Sequence, residues 1–448
     1  MFENYSEKLQ KEFKKNGLKI GDRVILNKDN RIYEGILMPK SAGDPDSIVI
    51  KLDSGYNIGI NDAKISKAKE KAEKIGYKKT TKKMKRDPSK PTIMILATGG
   101  TVVSRVDYKT GGVIPIIEPE DLLEIIPELS EIANIETRII FSILSENMEP
   151  EHWIILARKI EEIIKNENID GIIVTHGTDV MHYTSAALSF MLQDLPIPVL
   201  LVGSQRSSDR GSSDAAMNLI CAVRFIVKTD FSGVGICMHG SMSDDFCYIH
   251  NGTRVKKMHT SRRDTFQSID VLPIAKVFYH PEKIEFLRND YDKKDRNRKV
   301  KLDAVFDRNI AIVKMRPGFF YKELEFYQNY HGLIIEGTGL GHAPIESFDE
   351  FTGHHKELLT MLEKISKKIP VFMTSQCPYG RVNMNVYSSG RKLQKAGIIP
   401  CYMTTETAFV KLGWAAGHSN DKNEIIELMN KNIAGEIARS DARGFVSK

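Results

Sequence analysis

The ten residues from Thr92 to Thr101, Thr-Ile-Met-Ile-Leu-Ala-Thr-Gly-Gly-Thr, constrain the fold of this chain more than any other stretch. Ile93 to Ala97 is apolar without alternation, the pattern of a strand covered on both faces, as parallel strands are. Gly99 and Gly100 break the strand and leave Thr101 at its C-terminal end. Open α/β sheets place their ligands at that end. Glycines there let backbone N–H groups approach a substrate closely. The stretch therefore reads as a strand delivering a hydroxyl nucleophile. Taken alone, it reads equally well as an ordinary strand-to-turn transition with a solvated threonine.

The layout recurs. Gly171-Ile-Ile-Val-Thr175 is an apolar strand running into His176-Gly177-Thr178-Asp179. Two parallel strands can bring Thr101 and Thr178 to facing positions, with Asp179 beside them. Asp179 also suits the N-terminus of a following helix, and capping alone would account for it. A third piece is Lys256-Lys257-Met258-His259-Thr260-Ser261. A lysine beside an aspartate and a threonine can act as a base when desolvation lowers its pKa. An isolated lysine is ordinarily solvated.

At 448 residues the chain is long enough for about three domains. Residues 1–66 read as a short charged helix followed by four or five short strands separated by turn signals, a small all-β barrel of SH3-like or Sm-like appearance. Residues 67–90 are a lysine-rich linker, either a solvated tether or a contact for RNA phosphates or an acidic partner. From residue 91 strands and helices alternate, which means βαβ units and a parallel sheet. Strands are expected at 92–97, 138–143, 171–175, 198–202 and 233–238, and helices at 118–126, 150–167, 179–193 and 214–228. This first α/β domain spans 91–290. The charged residues 280–303 are expected as a surface loop leading to a second α/β domain at 300–448. Its strands are expected at 310–314, 332–336 and 370–374, and its helices near 355–368, 387–396, 405–415 and 421–438.

Five cysteines, an odd number without C-x-x-C pairs, argue for a reducing cytosol and against a disulfide framework or a zinc site. The apolar runs are strand-sized, so no membrane span is expected, and the charged N-terminus has no leader-like apolar region. His239, His250, His259 and His342 lack metal-ligand spacing and are expected as core or supporting residues. Trp153 and Trp414 fall in helix patterns and are expected in the core. Gly99-Gly100 does not complete a dinucleotide fingerprint, and there is no phosphate-binding G-x-x-x-x-G-K-[ST].

Ala-Thr-Gly-Gly-Thr at 97–101 and Thr-His-Gly-Thr-Asp at 175–179, occurring in this order, resemble the two signatures of the bacterial-type L-asparaginase and glutaminase family. Ser-Glu-Asn-Met at 145–148 resembles its substrate-gripping loop, and Val-Lys-Lys-Met-His-Thr-Ser at 255–261 the segment of its catalytic lysine. Ser-Gln-Cys-Pro-Tyr-Gly at 375–380 and Val-Asn-Met-Asn-Val-Tyr at 382–387 resemble the second lobe of its cytosolic type. The small barrel and basic linker ahead of such a body, with Gly-Ser-Gln-Arg-Ser-Ser-Asp-Arg at 203–210, resemble one branch, the ammonia-supplying D subunits of archaeal glutamyl-tRNA(Gln) amidotransferases.

The resemblance implies a two-lobed asparaginase-like α/β fold with parallel sheets behind the barrel. It implies a threonine nucleophile, Thr101 or Thr178, with Thr101 preferred because its glycine-rich turn and the following segment, with Tyr108 as lid residue, can close over a substrate. Thr178, Asp179 and Lys257 would form the second catalytic set, Lys257 being the base. Gly100, Ser145, Glu146 and Gly177 would bind substrate, although Glu146 stands where related enzymes often carry an amide. It implies glutamine as substrate, no cofactor or metal in this chain, and ATP and Mg at a partner, the amidotransferase's E subunit. That partner would carry Glu-tRNA(Gln), in a cytoplasmic heterotetramer built on a homodimer of this chain. A free-standing cytosolic L-asparaginase shares every catalytic residue but needs neither barrel nor linker. A tRNA-binding scaffold without activity would not need the intact Thr101, Thr178, Asp179 and Lys257.

Overall fold

The computed structural model describes residues 2, 4–28, 31–40, 44–52, 57–68, 86–99, 104–106, 113–115, 122–123, 126–206 and 213–437. At the N-terminus Ser6 caps the helix Glu7–Lys15 by accepting from Leu9 N at 3.4 Å. Leu9 and Phe13 lie four residues apart and so share a face. That face packs on a five-stranded antiparallel sheet, ordered Asn57–Asn61, Ser47–Lys51, Arg31–Leu37, Arg23–Lys28, Lys64–Lys67. Alternation selects the inner face, where Val24, Leu26, Ile48 and Ile50 are fully buried.

The central sheet runs Lys283–Phe286, Ala275–Phe278, Phe246–Asn251, Phe231–His239, Pro198–Val202, Gly171–Thr175, Thr92–Ala97, Asn134–Ile139. The five strands from Phe231–His239 to Asn134–Ile139 are parallel, and the other three continue the sheet antiparallel. Every residue of Thr92–Ala97, Gly171–Thr175 and Pro198–Val202 is buried. The cause is helices on both faces. Met94, Leu96, Ile172 and Val174 meet the helices Pro150–Asn166 and Met181–Met191, while Ile93, Ile95 and Ile173 meet Ala215–Lys228.

In the second lobe four parallel strands run in the order Ile310–Lys314, Gly332–Gly337, Val371–Ser375, Ile398–Pro400. The helix Thr405–Ala416 is the seam between lobes. Its Ala408, Leu412 and Trp414 join the first lobe's core, with Trp414 stacked on Phe190 at 6.0 Å. Trp153 and Trp414 are both buried, as expected for core residues.

Three elements depart from the sequence reading. The strand expected at 138–143 is Asn134–Ile139. Sheet pairing ends at Ala97↔Ile139, and the apolar residues after it cross the sheet edge rather than extend it. The charged segment 280–303 is not simply a loop, because Lys283–Phe286 pairs with Ala275–Phe278 as the edge of the central sheet. The helix expected to reach 438 ends at Asn430, and Gly435 then turns the chain at φ +75°. Of the helix expected at 118–126 only Leu122, Leu123 and Ile126 are described: Leu122 and Leu123 are helical and Ile126 N donates to Leu122 O at 2.9 Å, while the rest of it and most of the linker fall outside the described residues. Among the described residues no helix is long and apolar enough to cross a membrane.

Candidate active site

Thr92–Ala97 and Gly171–Thr175 are adjacent and parallel, with Ala97 opposite Thr175. Both glycine-bearing turns therefore leave the sheet side by side at its C-terminal edge. Thr98 ties them together, donating through its N–H at 3.2 Å and its Oγ1 at 2.9 Å to Thr175 O. Gly99 adopts φ +120°, and a Cβ there would collide with Ile143 O, so only glycine fits. Gly100, Thr101 and Tyr108 lie outside the described residues.

The second turn is complete. Gly177 presses against Ser145, since a Cβ on it would lie 2.6 Å from Ser145 Oγ. Ser145 is buried at the start of the 3₁₀ turn Ser145–Asn147, and Glu146 is exposed on the same turn. Lys257 ends the strand Val255–Lys257, which pairs with Phe266–Ser268 in a hairpin. Its Nζ donates to Thr178 Oγ1 at 2.9 Å and to Asp179 Oδ1 at 2.8 Å. The lysine side chain is 11% exposed, whereas the aspartate is 62% exposed. The structure thus brings Ser145, Gly177, Thr178, Asp179 and Lys257 together, 79 positions separating Thr178 from Lys257 along the chain. The arrangement can move a proton between a threonine hydroxyl and an amine held beside a carboxylate.

Sequence reasoning missed two supports. His176 is completely buried, and its desolvation lowers its pKa to about 4 despite an opposing hydrogen bond to Gly177. Its Nδ1 lies 2.6 Å from Gly177 O and its Nε2 2.9 Å from Thr184 Oγ1, which accepts from Trp153 Nε1 at 3.0 Å. One neutral tautomer satisfies all three bonds: Nδ1–H donates to Gly177 O and Nε2 accepts from Thr184. The other support is Asp214, a buried carboxylate accepting from Ser204 Oγ, Gln205 N, Arg206 N and Asn218 Nδ2 at 3.0–3.2 Å. It fixes the turn that begins at Gly203, where a Cβ would meet Thr178 Cγ2 at 2.7 Å. A histidine or aspartate in a motif gives no sign of such roles until its neighbours are known.

His239 and His250 are buried, but His259 is exposed, contrary to expectation. It caps a turn, its Nδ1 accepting from Ser261 N at 3.0 Å and Arg262 N at 3.1 Å. Among the described residues no three His, Cys, Asp or Glu side chains are grouped to hold a metal ion.

Three family models match the chain: "Asparaginase, N-terminal" at residues 92–291, "Glutaminase/Asparaginase C-terminal domain" at 309–429, and "GatD N-terminal domain" at 18–69. The chain is 47% identical to the glutamyl-tRNA(Gln) amidotransferase D subunit of Pyrococcus furiosus, over 96% of this chain and 97% of the relative. It is 48% identical to the protein of that name from Thermococcus kodakarensis, with the same coverage. The thermostable L-asparaginase from Thermococcus kodakarensis superposes with a TM-score of 0.69 at 34% identity, over 78% of this chain and all of that one. L-asparaginase I from Vibrio cholerae superposes at 0.66 and 26% identity, over 78% of this chain and 99% of that one.

Proposed function

Because the chain belongs to the family of glutamyl-tRNA(Gln) amidotransferase D subunits, built on an asparaginase body, we propose that it releases ammonia from glutamine for the amidation of Glu-tRNA(Gln). The observation that carries this is the Lys257 amine held between Thr178 and Asp179 at the C-terminal edge of a parallel sheet.

The reaction has two halves. The Thr101 hydroxyl attacks the carboxamide carbon of glutamine, its proton passes to the departing nitrogen, and ammonia leaves a glutamyl ester. Water then attacks that ester, returning the proton to Thr101 and releasing glutamate. Lys257 takes the proton in each half, oriented by Asp179, and Thr178 positions the attacking water or the substrate amide. Tyr108 closes over Thr101, and Gly100 and Gly177 let the substrate approach the backbone. Ser145 and Asp179 hold the α-carboxylate and α-ammonium, with Glu146 at the rim.

His176 supports an oxyanion role for the backbone. It grips Gly177 O from inside, and in a trans peptide the Thr178 N–H points the opposite way, toward the site. Losing one such donor typically costs about 100- to 1,000-fold in rate.

We place ATP and Mg at a partner, the E subunit of the amidotransferase, with no cofactor in this chain, and Glu-tRNA(Gln) mainly on that partner. The assembly is a cytoplasmic heterotetramer around a homodimer of this chain. The test is ammonia release from glutamine and from asparagine, by the chain alone and with the E subunit and Glu-tRNA(Gln) added. Glutamine turnover that rises in the complex, with little asparagine turnover, supports the reading. Fast asparagine hydrolysis unaffected by the partner makes the chain a free-standing asparaginase. Alanine at Thr101 should abolish release, and substantial residual turnover would overturn that assignment.

A further inference from the structure

The strand that presents Lys257 is held from behind by the second lobe. Thr253 O accepts from Thr407 Oγ1 at 2.9 Å, and an Arg254 guanidinium nitrogen donates to Tyr402 O and Glu436 O at 3.1 Å each. Adjacent strand residues project to opposite sides. Lys257 therefore faces Thr178 and Asp179, while Lys256 faces away from them. There its Nζ meets Glu406 Oε1 at 2.6 Å. Glu406 lies in the first turn of the seam helix Thr405–Ala416, whose N-terminus Thr404 caps by accepting from Thr407 N at 3.2 Å.

Three features make this contact more than a surface ion pair. Lys256 is 25% exposed and Glu406 12%, so water screens the pair weakly. The crevice alongside, between Ile269, Ser375, Cys377 and Tyr402, holds only about 20 Å³, room for a single water. Among the described residues the buried Glu406 Oε2 has no hydrogen-bond partner, so the carboxylate is held through Oε1 by Lys256. The neighbouring His182 does not compete for it as a cation. Burial lowers the pKa of that imidazole to about 4, and it is neutral at physiological pH.

We propose that Lys256 and Glu406 form a positioning pair, an inter-lobe ion pair that sets where the Lys257 amine stands against Thr178 and Asp179. This rests on the reading of Lys257 as the catalytic base. The pair touches neither substrate nor reacting atoms and acts through the strand. Release of the strand root lets the amine drift, and displacement on the ångström scale can cost about 100-fold in rate.

The experiment is steady-state ammonia release from glutamine by the full chain, alone and in complex with the E subunit, for wild type, K257A, K256M, E406Q, K256R and the double variant K256M/E406Q. Circular dichroism and thermal melting accompany each. K256M and E406Q should each lower kcat about 10- to 100-fold, with KM within about threefold. K256R keeps the pair and should stay within about threefold of wild type. The double variant should be no slower than either single, because both remove one interaction. A kcat within threefold of wild type in folded K256M or E406Q overturns the inference. So do losses that multiply in the double variant. A change in melting temperature without a change in kcat shows a structural tie only, and also overturns it. If wild type releases no ammonia from glutamine, or K257A remains active, the proposed function fails, and this inference fails with it. Wild-type activity that is lost in K257A but not in K256M or E406Q leaves that function standing.

Discussion

Glu436→Gln should destabilise the protein sharply although it removes a single charge and no volume. Lys411 on the seam helix and Glu436 near the C-terminal end are both fully buried, with Nζ and Oε1 2.5 Å apart. Nζ also donates to Met429 O at 2.9 Å and Lys431 O at 2.5 Å. The carboxylate accepts from Ile433 N at 3.0 Å and Ala434 N at 2.7 Å. Burial pushes the Lys411 pKa down and Glu436 pulls it back, so the ammonium depends on its partner. With an amide in place of the carboxylate it would face only neutral oxygens. Leaving one member of a buried pair uncompensated costs about 3–5 kcal/mol. The amide keeps one acceptor in place, so about 3 kcal/mol is the expectation. At roughly 2–4 °C per kcal/mol for a unit of this size, the melting temperature should fall by about 6–12 °C. The assay is thermal unfolding at neutral pH followed by tryptophan fluorescence, since Trp414 lies on the same helix and is buried. K411M/E436Q, with no charge left, should regain at least half of the loss. A fall of less than about 2 °C in E436Q, or a double variant worse than the single, would refute the reasoning.

Lys257→Ala should lower the kcat for ammonia release by about 100- to 10,000-fold, the usual weight of a positioned base, and residual turnover near wild type would remove Lys257 from that role. Acid should weaken the fold through His176 and His182, whose buried rings have pKa values lowered to about 4. The unfolded chain binds those protons first, so stability is full above the ordinary histidine pKa of about 6.5 and is lost as pH falls toward 4, about 2 kcal/mol per ring at pH 5. Urea midpoints that are equal at pH 7.5 and pH 5 would contradict this. His176→Phe should keep the fold while lowering kcat more than it raises KM, because the grip on Gly177 O is lost. Unchanged kcat would show that the Thr178 peptide orients itself.

The central strands were legible because burial on both faces writes an unbroken apolar run, and Thr92–Ala97, Gly171–Thr175 and Pro198–Val202 stand where that pattern put them. Phe246–Asn251 and Ala275–Phe278 carry mixed sequences such as Phe-Cys-Tyr-Ile-His-Asn, and nothing in their spacing announces a sheet that turns antiparallel. Lys283–Phe286 was hidden among charges, because an edge strand with one half-covered face needs few apolar residues. In the site, Thr178 and Asp179 follow from a strand ending in a glycine turn. Lys257 was placed only through its resemblance to a known segment, since contact across 79 positions depends on a sheet order that local pattern does not encode. The Lys256–Glu406 pair was invisible for the same reason: its two halves come from different lobes.

The short segment between the strand Asn134–Ile139 and the helix Pro150–Asn166 touches both glycine turns, Ile143 against Gly99 and Ser145 against Gly177. It works as a spacer gauge set across the mouth of the two strands. Neither turn can shift toward it without displacing the other's neighbour, so the gap between the turns behaves as one mechanical variable rather than two. Strain introduced on one side is passed across the gauge, and the second side then yields at little added cost. Enlarging both glycines should therefore do less harm than the two separate effects combined, a non-additivity that arises from shared backing rather than from direct contact.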